Sequence, residues 1–318
     1  MRFGVQIENH LGISYNGVKR IALEAEKSGF DGLFICDHLM GRNEETFRQP
    51  CIDPWVAFGA LSQVTKKIGL GSLVSSIGFR YPSMLAKMAA TVDHVSGGRL
   101  TLTVGAGWHE PEYKAYGIPF PSVGTRMEQL REGVQIIRSI WTKDNASFDG
   151  KNFKVNEAYC YPRPQSPKIW IGGGGETKLL RIVADLADGW NAVGLSVDEY
   201  AHKLEVLRSF CEKSGRKLNT LERSYYGPCI IGRNEGEFRE SFNKHYGQLR
   251  KPEESKESFV QRIRSTRPLV GTTSEVSEKM DILEEFGVSY FILYFPDKEG
   301  LGLMHRFAEQ AMPHFRND

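Results

Sequence analysis

The apolar run Leu33-Phe34-Ile35-Cys36 leads straight into Asp37-His38. Histidine is the side chain whose unperturbed charge changes near neutral pH, so at a strand end it can hold or exchange a proton with a bound molecule. Asp37 can orient the imidazole or accept a hydrogen bond from a ligand. The plainer reading of the same dipeptide is a loop cap beside an exposed histidine. Asp93-His94 repeats the pair at a helix end, where the reading is structural.

The best local motif is Ile171-Gly172-Gly173-Gly174-Gly175-Glu176-Thr177, between a strand-like run and a helix-like one. Consecutive glycines at such a turn let backbone N–H groups converge on a phosphate. A tight turn needing positive φ accounts for one glycine and poorly for four. The Gly-Lys-Ser/Thr ending of a nucleoside-triphosphate loop is missing.

Two more strand ends carry suitable residues. Val74-Ser75-Ser76-Ile77-Gly78-Phe79-Arg80 offers small hydroxyl residues and a glycine, which admit a planar ligand close to the backbone. A turn whose Arg80 is paired on the surface explains it equally well. Gly105-Ala106-Gly107-Trp108-His109-Glu110 lacks the third glycine of a dinucleotide fingerprint. Its small residues followed by Trp108 fit an aromatic-lined pocket. His109, Glu110 and Glu112 match no metal-ligand spacing, and no metal is expected.

Strands and helices in alternation must position these residues. Short apolar runs at Phe3–Ile7, Leu33–Cys36, Ile68–Val74, Leu100–Val104, Lys168–Ile171, Trp190–Val193, Ser224–Ile231 and Tyr290–Phe295 read as eight strands separated by amphipathic helices. Met127, Leu130, Val134, Ile137 and Trp141 form one helical face, which Thr125 with Glu128 is expected to cap. Thr272 and Glu275 form a second capping box. Phe148–Pro167 reads as irregular, and residues 233–268 as an inserted helical excursion. Eight βα units predict one (β/α)8 TIM barrel with insertions, spanning 1–318 as a single domain, with its active site at the strand ends. The usual barrel phosphate site follows strands seven and eight, so a glycine turn after strand five departs from the pattern.

Bulk properties narrow the partners. Lys plus Arg total 41 against 39 acidic residues, with no basic run, so nucleic acid and anionic membrane are poor candidates. Five scattered cysteines without a CxxC spacing argue against a disulfide framework or zinc ribbon, and for reduced thiols. The start MRFGVQIENH has no signal-like apolar region, and a cytoplasmic location is expected.

Taken in order, several segments resemble the luciferase-like flavin and deazaflavin oxidoreductases. They are Ser28-Gly29-Phe30-Asp31 into Cys36-Asp37-His38, Phe79-Arg80-Tyr81-Pro82 with Ala86-Lys87-Met88-Ala89-Ala90-Thr91, and Ser96-Gly97-Gly98-Arg99-Leu100. Val104-Gly105-Ala106-Gly107-Trp108, Ala115-Tyr116-Gly117-Ile118-Pro119-Phe120, the Gly172–Gly175 turn and Ala187-Asp188-Gly189-Trp190-Asn191 complete the set. The likeness is dense to about residue 195 and thin beyond, apart from Pro268-Leu269-Val270-Gly271-Thr272.

The resemblance implies a TIM barrel with a cofactor across its strand ends. The ring would rest on a bulge in the third strand, at Leu73 and Val74, where deazaflavin members have a non-prolyl cis peptide. Ser76, Gly105, Ala106 and Gly107 would flank it, and Gly172, Gly173, Gly174 and Gly175 would hold its phosphate. His38 would be the acid or base beside the reacting carbon, and Asp37 would contact the cofactor. The strand-four segments look most like members using coenzyme F420, an 8-hydroxy-5-deazaflavin, which implies a dehydrogenase or reductase. FMN with oxygen, hence a monooxygenase, is the alternative, and a non-catalytic flavin-binding protein the third. Sugar-phosphate dehydrogenases of this family carry an acid where Trp108 stands, so an apolar or aromatic small-molecule substrate facing Trp55, Phe79 and Trp108 is expected. A homodimer is the family expectation.

Overall fold

Each of the eight apolar runs becomes a strand in the computed structural model, which describes residues 1–165, 168–297 and 301–316. The barrel strands are β1 (Arg2–Ile7), β2 (Gly32–Ile35), β3 (Gly69–Ser76), β4 (Leu100–Gly105), β5 (Ile169–Gly172), β6 (Gly189–Val193), β7 (Glu222–Pro228) and β8 (Tyr290–Tyr294). They pair in sequence order, all parallel, and β8 closes on β1 through registers such as Phe3 with Phe291. This is the closed (β/α)8 TIM barrel that the alternation predicts. Parallel strands need crossover connections, and the helices supply them while covering the barrel's outer face.

The helices are α1 (Tyr15–Lys27), α2 (Pro54–Val64), α3 (Pro82–Ser96), α4 (Glu110–Ala115), α5 (Val123–Thr142), α6 (Leu179–Leu186), α7 (Val197–Lys213), α8 (Glu235–Tyr246), α9 (Lys256–Thr266), α10 (Thr273–Glu285) and α11 (Leu301–Gln310). The face predicted on α5 is buried at Leu130, Val134, Ile137 and Trp141. Its cap differs from expectation: Ser122, not Thr125, accepts the Thr125 N–H, because the helix starts one turn earlier. The Thr272–Glu275 capping box at the start of α10 is present in full.

Inside the barrel, Phe34, Leu73, Trp170, Tyr290 and Ile292 fill the lumen, with Phe34 5.6 Å from Tyr290 and Trp170 5.8 Å from it, edge on. This plug leaves the C-terminal strand ends as the place for a ligand. Three features lie outside the simple repeat. The stretch expected to be irregular contains an antiparallel hairpin, Ala146–Asp149 with Lys154–Ala158, while its last two residues, Ser166 and Pro167, lie outside the described residues. The run expected as one strand over Ser224–Ile231 divides at Pro228, which has no N–H to extend a ladder. Ile230–Gly232 instead pairs with Val270–Thr272, and the 233–268 excursion between them forms α8 and α9. Among the described residues no helix is long and apolar enough to cross a membrane.

Candidate functional site

The end of β2 delivers Asp37 and His38 to the rim of a cavity of about 470 Å³ at the C-terminal strand ends. Leu73, Val74, Ser76, Phe79, Gly105, Ala106, Gly107, Trp108, Gly172 and Gly173 line the same cavity, so six of the eight strands contribute once Asn191 of β6 and Tyr226 of β7 are added. A larger, more open groove of about 850 Å³ lies at the other end of the barrel, between α7 and the Glu285–Gly287 turn. It gathers none of the residues singled out above.

His38 is held by a partner that spacing did not identify. Its Nδ1 faces both carboxylate oxygens of Glu112 at 3.0 and 3.1 Å, and the carboxylate assigns the proton to Nδ1. Glu112 also accepts the Leu39 N–H at 3.1 Å and is buried on α4. The ring therefore keeps Nε2 for a ligand. Glu112 entered the sequence reading only within a rejected metal pattern. The missed signal is its place three residues after His109 and on the buried side of α4.

Asp37 does not orient His38. Its Oδ2 accepts Arg80 Nη1 at 2.6 Å and Trp55 Nε1 at 3.4 Å, while Arg80 Nη2 reaches Asp53. Arg80 is thus a part-buried bridge between Asp37 and Asp53 and not a surface pair, at 15% side-chain exposure. Burial pushes the Asp37 carboxyl above the usual range against the pull of the Arg80 guanidinium. Trp55 is corrected too: it is 3% exposed, donates to Ser75 Oγ at 3.1 Å, and lies beneath the cavity outside its lining. Trp108, at 62% exposure, and Phe79 form the aromatic wall instead.

The floor is built by β3. Its pairing with β4 slips between Ser72 and Ser75, and the Leu73–Val74 peptide within the slip is cis, as the resemblance implies. Val74 then leans between two glycines of neighbouring strands. A Cβ on Gly172 would stand 2.4 Å from Val74 Cγ1, and one on Gly105 2.8 Å from Cγ2, so both positions exclude a side chain. Ser76 is buried and hydrogen-bonded to the Tyr113 hydroxyl.

The glycine turn divides in two. Gly172 and Gly173 line the cavity, with Gly173 at φ +128°, whereas Gly174 and Gly175 lie outside its lining. Gly174 turns its carbonyl to Lys203 Nζ at 2.9 Å, and that lysine also pairs with Glu176 at 2.7 Å. Helix α6 starts only at Leu179, later than the turn itself.

Two buried acceptors in the wall have no partner among the described residues, Asp37 Oδ1 and Asn191 Oδ1. Leaving such atoms unmatched costs about 1–3 kcal/mol each, so the cavity is shaped to receive donors.

The profile of the luciferase-like monooxygenase family matches residues 1–290. The chain belongs to that family. The match runs well past residue 195, where the motif likeness thins. An uncharacterized Mycobacterium tuberculosis protein, Rv0953c, is 38% identical over 149 residues, 46% of this chain and 52% of that one. The chain thus spans about half the length of that relative. The F420-dependent glucose-6-phosphate dehydrogenase of Kribbella flavida is 26% identical over 313 residues, covering 93% of this chain and 92% of that enzyme. Among solved structures, an F420-dependent secondary alcohol dehydrogenase in complex with an F420-acetone adduct superposes with a TM-score of 0.83 over 99% of both chains, at 21% identity. That likeness carries the fold.

Proposed function

We propose that this chain is an oxidoreductase that transfers hydride between coenzyme F420 and a small apolar or aromatic substrate, with His38 handling the accompanying proton. The observation that carries it is the His38–Glu112 pair at the rim of a cavity whose floor is the β3 bulge. The residues fit a planar ring with donor groups. Val74, Gly105 and Gly172 provide a flat apolar floor, and Asp37 Oδ1 and Asn191 Oδ1 are acceptors in want of donors. The Gly172–Gly175 turn, with the Lys203 cation at Gly174, would hold the phosphate. The F420-dependent relatives support this choice of cofactor.

When bound, the deazaflavin supplies the hydride acceptor or donor. The chain's own residues do the rest. His38 takes or returns a proton at Nε2, and Glu112 stabilises the imidazolium that forms, as a buried carboxylate does for a histidine base. Arg80 and Trp55 hold Asp37 with one oxygen directed to the ligand. Trp108, Phe79 and Met127 offer an apolar wall for the substrate. A cytoplasmic homodimer completes the reading, checked by light scattering in solution.

The test is a parallel fluorescence titration with F420 and FMN. F420 binding at micromolar concentration or tighter is expected, with His38→Ala retaining binding and losing about 10²–10⁴ of turnover. A chain that ignores F420 and binds FMN, consuming oxygen when a reductase supplies reduced FMN, is instead the monooxygenase that the family name describes. Tight binding with His38 and Asp37 dispensable would leave only a flavin carrier.

A further inference from the structure

His10, Cys36 and His38 come together beside the cavity although 28 positions separate the first from the last. One ligand atom from each lies within 4.8 Å of the other two. His10 follows β1, Cys36 ends the β2 run, and both are buried, at 2% and 5% exposure. Cys36 Sγ stands 3.7 Å from His10 Nδ1. Two such ligands on a tetrahedral zinc, at about 2.3 Å for sulfur and 2.0–2.1 Å for nitrogen, are about 3.5 Å apart. An ion centred among three atoms at most 4.8 Å apart lies within about 2.8 Å of each. Closing the shell therefore needs only sub-ångström side-chain adjustments.

The surroundings match what a cation site requires. Glu112 engages His38 Nδ1, so the lone pair available to a cation is on Nε2, the carboxylate–histidine arrangement found behind bound zinc. The Asn9 N–H points at Cys36 Sγ at 3.3 Å, and the Cys36 S–H donates to Asn9 Oδ1 at 3.0 Å, the proton that a cation would displace. Glu8 Oε2 lies 3.4 Å from His10 Nδ1 and adds negative charge. Arg42 and His109 are the opposing groups, against the carboxylates of Glu8 and Glu112.

We propose that His10, Cys36 and His38 bind a thiophilic divalent cation of the zinc class, and that its arrival withdraws His38 from proton transfer. The inhibitory half rests on the function proposed above; the binding half does not. Coordination replaces the Cys36 S–H proton by the metal, and that proton leaves to water, so no oxidant or reductant takes part. The site has three protein ligands, of which Cys36 and His38 line the ligand cavity.

Cobalt(II), a spectroscopic stand-in for zinc, tests it on the chelator-treated full chain without flavin or F420. The expected result is a sulfur-to-cobalt charge-transfer band saturating at one cobalt per chain, with a dissociation constant below about 10 μM, and displaced by Zn²⁺. Cys36→Ser should lose the band, Cys51→Ser keep it, and His10→Asn weaken binding at least about tenfold. No band in the wild-type chain at millimolar cobalt overturns the proposal, whatever the variants do, as does a band that survives Cys36→Ser. Zn²⁺ should also slow diethyl pyrocarbonate modification of His38, mapped by mass spectrometry; an unchanged rate removes His38 from the site and refutes the inhibition. A chain that binds cobalt in this way but not F420 refutes the hydride reading and keeps the metal site, and the reverse outcome does the opposite.

Discussion

Replacing Arg80 by Met should cost the fold heavily at neutral pH and less in acid. Arg80 Nη1 lies 2.6 Å from Asp37 Oδ2, and the Asp37 side chain has no exposed surface. Met keeps the apolar stem and removes the charge, leaving a buried carboxylate unpaired, which costs about 3–5 kcal/mol. The Arg80–Asp53 contact is lost as well, but Asp53 is 38% exposed and adds little. An unfolding entropy of about 2.1 cal/mol/K per residue over 318 residues is about 0.67 kcal/mol/K, so the melting temperature should fall by about 5–8 °C. The pH dependence has a definite sign. Burial raises the folded-state pKa of Asp37, and without Arg80 only hydrogen bonds from Ser75 and Trp55 oppose it. A group whose folded pKa lies above its unfolded one contributes stability at low pH and loses it as pH rises through the folded pKa. The deficit relative to wild type should therefore be largest at neutral pH and shrink in acid, as Asp37 takes up a proton. Thermal or urea unfolding of both proteins across that range measures it, and Arg80→Met with Asp37→Asn should recover most of the loss. A deficit that is equal at neutral pH and in acid, or below about 1 kcal/mol, would refute the view of Asp37 as a buried anion held by Arg80.

Glu112→Gln should keep the shape of the pair at His38 and lose its charge, lowering kcat by about 10²-fold with a much smaller change in cofactor affinity, read from steady-state rates and fluorescence titration. Gly172→Ala drives a methyl into Val74 Cγ1, so it should destabilise by about 1–3 kcal/mol in urea unfolding and weaken cofactor binding together. Trp108→Ala should raise KM with little effect on the melting temperature, since the ring is exposed in the cavity wall. Trp55→Phe should do the opposite, losing about 1–2 kcal/mol of stability through its Ser75 and Asp37 hydrogen bonds while leaving KM nearly unchanged.

Local rules made much of the scaffold legible. The eight strands and most of the helices follow from period and length, and Thr272 with Glu275 caps α10 as its spacing predicts. Where local signals compete, the reading slips. Ser122 and Thr125 both suit a cap, and only the preceding chain path decides that the helix begins at Val123. The hydroxyl, glycine and aromatic residues at the ends of β3 and β4 could be recognised as site material because strand ends in such a barrel face one rim. Their individual tasks could not, as Trp55 and Trp108 show: similar side chains, one beneath the floor and one in the wall.

The sequence by itself determined the alternating strands and helices of the barrel and the Asp37-His38 position at a strand end, because each depends on neighbours within a turn or a strand. Tertiary structure alone decided which groups act on one another. Glu112 reaches His38 across 74 residues and Arg80 reaches Asp37 across 43, and Cys36 meets His10 across 26. No local spacing encodes those distances, because they exist only once successive strands are wound side by side and the barrel is closed. The carboxylate that orients His38 therefore comes from α4, brought there by closure rather than by adjacency in the chain.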